Sequence, residues 1–172
     1  MDVVGLEGNP EARYVFTVFA DFECPMCAQV SSSLESLQAR LSKDVAVAFR
    51  HYPLKGHEQA RLAAVAAECA AEQGRFWEYH ERLFDRQADL GPESLLARAR
   101  ELGLDVERFR RSLESEAAAA VVDASKADGA RLGIRATPTI FLNGEEIGGA
   151  LTLDELTHVL AVAMRKNRPA EK

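Results

Sequence analysis

Phe19-Ala-Asp-Phe-Glu-Cys24-Pro-Met-Cys27-Ala-Gln29 is the stretch on which the reading of this chain turns. An apolar, β-rich run over residues 14–20 precedes it, and a segment with helical periodicity over residues 28–41 follows. The cysteine pair therefore stands where a strand hands over to a helix. The first turn of a helix carries N–H groups without intrahelical partners, which favour negative charge nearby. A thiolate on Cys24 gains from that position, while the adjacent carboxylates of Asp21 and Glu23 oppose it. Two intervening residues let Cys27 turn back onto Cys24 and close a small disulfide. By itself the pair leaves three readings: half a zinc site, a structural staple or a redox couple.

Composition narrows these. The chain has 172 residues, of which 47% are hydrophobic, enough for a core without disulfide reinforcement. A formal net charge of −6 argues against nucleic acid or an anionic membrane as partner. Structural zinc normally takes four ligands. The third cysteine, Cys69, falls on an alanine-rich helical face, and His51, His57, His80 and His158 show no paired spacing. A four-residue loop removes little chain entropy, so a purely structural disulfide adds little stability. Residues 1–10 lack a basic and an apolar leader region, and no run approaches the roughly 20 apolar residues of a membrane helix. The expectation is a monomer without a membrane span. Its location is cytoplasmic as the sequence stands, or the periplasm or cell envelope if a leader was removed.

Outward from the cysteines, residues 45–49 make a second β run, so strand, helix and strand form a βαβ unit with parallel strands. From residue 57 the pattern is helical: 59–73, 75–84, a helix opened by Gly91-Pro92, one capped by Asp105, and 116–132. Strand character returns at 139–142, followed by the hairpin signal Asn143-Gly144 and a return strand over 145–148. Thr152-Leu-Asp-Glu155 reads as the capping box of a final helix, and the tail from residue 167 as polar and frayed. The order is β-α-β, a helical block, then β-β-α, with the cysteines at the carboxyl end of a strand, where α/β sheets gather their sites.

Cys24-Pro25-Met26-Cys27 after the first strand and Ala136-Thr137-Pro138-Thr139 before the hairpin resemble the thioredoxin superfamily. Phe76-Trp-Glu-Tyr-His80 and Arg50-His-Tyr-Pro-Leu54 point more narrowly to its DsbA-like branch, over residues 12–162. The resemblance implies an α/β thioredoxin fold over residues 12–56 and 134–166 with an inserted helical domain over 57–133. It implies a cis bond before Pro138 and a Thr137 edge able to pair with a substrate peptide. It also implies thiol–disulfide exchange with protein or peptide thiols and a separate redox partner, with no bound cofactor or metal. Cys24 is then the nucleophile and Cys27 the resolving thiol, with Pro25, Met26, Thr137 and Pro138 contacting substrate. Met26 is a departure, because some strongly oxidising members carry a histidine there that stabilises the thiolate.

Rival readings are a peptide-binding module without turnover, and a reductase or glutathione-linked enzyme. Asp21 reads as an ordinary exposed carboxylate at a strand end, ahead of a role in moving the Cys27 proton; His57 reads as a cap or surface residue, and Cys69 as a buried small hydrophobe, ahead of a redox-sensing or dimer-forming thiol. Trp77, Tyr79 and Phe84 read as packing residues of the helical block.

Overall fold

A computed structural model describes residues 5–167. The expected tail beyond residue 167 lies outside them. Five strands, β1 (Leu6–Gly8), β2 (Tyr14–Ala20), β3 (Val45–His51), β4 (Thr139–Leu142) and β5 (Glu145–Gly148), form one sheet in the order β1-β3-β2-β4-β5. Helix α1 (Pro25–Arg40) joins the parallel pair β2 and β3, with Tyr14 opposite Val45 and Ala20 opposite His51. Between β3 and β4 run α2 (Ala60–Ala71), α3 (Phe76–Asp85), α4 (Pro92–Glu101), α5 (Val106–Glu114) and α6 (Glu116–Arg131), and α7 (Leu153–Lys166) follows β5. This is the thioredoxin fold with a helical insert.

Strand periodicity divides the core. Phe16 and Val18 pack with Val30, Leu34 and Leu37 of α1 in a cluster that extends through the insert to Leu156 and Leu160 of α7. Phe19 points the other way and joins Tyr52, Ile134 and Phe141 in a second cluster. All seven residues of β3 are buried, as a central strand covered on both faces requires.

Local chemistry sets the ends of the elements. Asn143 and Gly144 both take positive φ, 49° and 87°, which a tight β4–β5 hairpin needs. The Asp105 side chain accepts a hydrogen bond from Arg108 N at the start of α5, and Thr152 with Glu155 forms a reciprocal capping box on α7. Two features depart from the expectation. Helix α1 begins three residues earlier than the apolar periodicity suggests, at Pro25, whose fixed φ suits a first helical turn. Strand β1 has no counterpart in the sequence reading. It is three residues long, half exposed and held by antiparallel pairing to β3, so it carries no periodicity of its own.

Candidate active site

The stretch quoted above crosses from β2 to α1. Phe22 buries its ring among Phe49, His80 and Phe84, with centroids 5.2, 5.7 and 4.9 Å away. That anchor fixes the loop two residues ahead of Cys24. Cys24 is the N-cap of α1 in extended conformation, with no side-chain cap. Its carbonyl accepts from Cys27 N at 3.0 Å and Ala28 N at 3.4 Å. The Cys24 sulfur thus sits at the positive end of α1, where a thiolate is favoured.

Cys24 is 7% exposed and Cys27 1% exposed, so Cys24 is the more accessible of the two. Burial pushes the Cys27 thiol far above its ordinary value, and Cys24 beside it adds to the rise. Contacts with the Asp21 backbone and with Thr137 act in the opposite sense without cancelling it. The Cys24 Sγ–H donates to the Thr137 carbonyl at 3.4 Å, and the Thr137–Pro138 peptide bond is cis. Residues more than a hundred positions apart therefore meet at one sulfur. Pro25 and Met26 form the exposed first turn of α1, and Met26 lines a shallow groove with Val30, Leu151 and Leu153.

Asp21 corrects the sequence reading. It is 1% exposed and accepts from Leu54 N at 2.7 Å, Glu23 N at 2.8 Å and the His57 ring at 2.7 Å. Buried carboxylates need such partners, and two of these come from residues 33 and 36 positions away. His57, rather than capping a helix, is bound to this carboxylate. Glu23 is engaged too, accepting from Gln59 N at 2.7 Å and Ala60 N at 2.6 Å at the start of α2. Both acidic neighbours of Cys24 are held by N–H donors rather than left as free charges facing the sulfur.

Gln87, in the turn after α3, escaped the sequence reading altogether. Its Nε2 donates to the carbonyls of Phe22 at 2.7 Å and Cys24 at 3.0 Å. Cys69 is fully buried on α2, and burial pushes its thiol up to about 12. Tyr79 is fully buried, while Trp77 and Phe84 are partly buried against the same core. Among the described residues, no group of three His, Cys, Asp or Glu side chains is arranged to hold a metal ion, and no helix is long and apolar enough to cross a membrane.

Comparison with known proteins agrees with this geometry. The thioredoxin family model matches residues 4–161. A thioredoxin-like oxidoreductase from Silicibacter pomeroyi superimposes with a TM-score of 0.83 at 27% identity, covering 94% of this chain and 92% of that one. Oxidised BdbD from Bacillus subtilis gives a TM-score of 0.83 at 26% identity, covering 93% and 92%. By sequence, the chain is 37% identical over 166 residues to the Na(+)/H(+) antiporter NhaA of Herminiimonas arsenicoxydans, covering 96% of this chain and 26% of the antiporter. The chain spans about a quarter of the length of the curated relatives it matches.

Proposed function

The chain belongs to the thioredoxin superfamily, in its DsbA-like branch of thiol–disulfide oxidoreductases, and from that premise we propose that it exchanges the Cys24–Cys27 disulfide with protein or peptide thiols. The observation that carries the reading is the asymmetry of the pair. Cys24 caps a helix beside the Thr137 carbonyl, whereas Cys27 is buried with its thiol pushed up. The sulfur that lies at the helix start and nearer solvent is the one to attack and be attacked.

In the oxidising direction, a substrate thiolate attacks the Cys24 sulfur and the Cys24–Cys27 bond breaks. Cys27 leaves with the electron pair and takes a proton, which its raised affinity favours. A second substrate thiolate then attacks the substrate sulfur of the mixed disulfide, and Cys24 leaves as thiolate. Two substrate thiols become one disulfide, and the enzyme becomes a dithiol that its redox partner must reoxidise. In the reducing direction Cys24 attacks a substrate disulfide and Cys27 resolves the adduct. The reduction potential against that of the compartment sets the direction. Residues 12–56 and 134–166 serve as the catalytic unit in this reading and 57–133 as its inserted domain. Pro25, Met26, Thr137 and Pro138 flank the substrate.

Cys24→Ser is expected to abolish both insulin reduction and oxidation of a reduced protein substrate. Wild type and variant behaving alike would sink the catalytic reading and leave a peptide-binding module. The antiporter relatives support a second inference: the chain serves as a redox unit for a membrane ion exchanger. Cys27→Ser, which cannot resolve a mixed disulfide, should trap such a partner from a membrane fraction. Recovery of soluble proteins alone would refute that partnership.

A further inference from the structure

We propose that Gln87 is a positioning residue for exchange: its side-chain amide holds the Phe22 and Cys24 carbonyls and so sets how readily the Cys24 sulfur carries negative charge. The inference rests on the exchange reading and adds to it a residue that touches neither sulfur nor substrate.

Both N–H donors needed here come from one amide nitrogen, at 2.7 Å from Phe22 O and 3.0 Å from Cys24 O. The Cys24 carbonyl is the one that starts α1, so Gln87 reinforces the turn that presents the sulfur. A donor on these two carbonyl oxygens offsets part of their negative charge and so lessens the repulsion that a thiolate in the same loop meets. Gln87 supplies that donor from the insert, a separate part of the fold.

The segment carrying Gln87 is pinned on both sides. Arg98, 0% exposed, donates to Arg86 O at 2.8 Å and Arg82 O at 3.1 Å, fixing the chain just ahead of it. The Gln59 side chain accepts from Leu90 N at 3.1 Å, fixing the chain just after it. The backbone N–H of the same Gln59, with that of Ala60, donates to Glu23 next to the nucleophile. Loop, α2 and the α3–α4 turn thereby close a ring of hydrogen bonds around Phe22–Cys24. A donor held this rigidly keeps its full effect, since no ordering cost is incurred as charge develops.

The test compares wild type with Gln87→Met, which preserves length without donors, and Gln87→Glu, which places acceptors against the two carbonyls. Two readouts are taken: the pH profile of Cys24 alkylation in the reduced protein, and the thiol–disulfide equilibrium with glutathione. Loss of these bonds should move the Gln87→Met profile to higher pH, with alkylation below the midpoint about threefold slower. The equilibrium should favour the protein disulfide about threefold more, ~14 mV for a two-electron couple. Gln87→Glu should shift both further in the same direction. A variant that loses thermal stability while both readouts stay at wild-type values would overturn the proposal, as would a shift of opposite sign. Should the wild type not equilibrate with glutathione, the exchange reading fails, whereas the alkylation profile still decides the role of Gln87.

Discussion

Asp21 and Glu23 show how far a residue's neighbours in sequence can mislead about its charge. Read along the chain, they are two carboxylates beside Cys24. In the fold, Asp21 is enclosed by Leu54 N, Glu23 N and His57, and Glu23 faces the first N–H groups of α2. No local pattern identifies donors more than thirty residues away. The placement of the cysteines was legible because it depends on a spacing of three and on a strand-to-helix junction, both written locally. His80 carries a second residue-scale consequence. Burial among Phe22, Phe49, Phe84 and Trp77 pushes its imidazole down to about 3 from an ordinary 6.5. Between those values the unfolded chain binds a proton that the folded chain refuses, so stability is whole above pH 6.5 and falls as the pH drops. The slope attributable to this group is about 1.4 kcal/mol per pH unit. Denaturant titrations of His80→Phe between roughly pH 6 and pH 4 should show a flatter decline than wild type; an unchanged slope would remove His80 as its source.

At the scale of elements, the reading succeeded where a short motif fixes a boundary. The Thr152–Glu155 capping box, the Asn143-Gly144 turn and the Asp105 cap are each decided within four residues. Thr152→Ala should cost about 1 kcal/mol, since it removes the acceptor for Glu155 N at the start of a helix whose Leu156 and Leu160 enter the core. A lower urea midpoint with an unchanged m-value would register that loss. Strand β1 eluded the reading for the opposite reason. Its pairing of Leu6 with Ala48 and Gly8 with Ala46 supplies the order that its own three residues lack.

The whole molecule depends on how closely the insert approaches the sheet. Gly129, buried on α6, lets that helix lie against the second cluster. A Cβ there would come within 2.7 Å of Tyr52 Cδ2 and 3.1 Å of Phe19 Cδ1. The Tyr52 hydroxyl is held at 2.5 Å by Ile134 O, so its ring has little room to yield. Alanine favours a helix over glycine by about 1 kcal/mol, yet overpacking of this kind costs about 1–3 kcal/mol. Gly129→Ala should therefore destabilise the protein, and a raised melting temperature would show the contact to be softer than its geometry. The same close fit joins Arg50 on β3 to Ser125 and Asp128 on α6. Sequence by itself determined the order of elements from β2 onward, the strand-to-helix placement of Cys24 and Cys27 and the turn between β4 and β5, because periodicity, caps and turn chemistry act over a few residues. Tertiary structure alone decided that Thr137 meets Cys24, that Asp21 and Glu23 are engaged, and that Gln87 reaches the Phe22–Cys24 loop. Those contacts join residues 33 to 113 positions apart, and only the packing of the insert onto the sheet brings such groups within hydrogen-bonding distance.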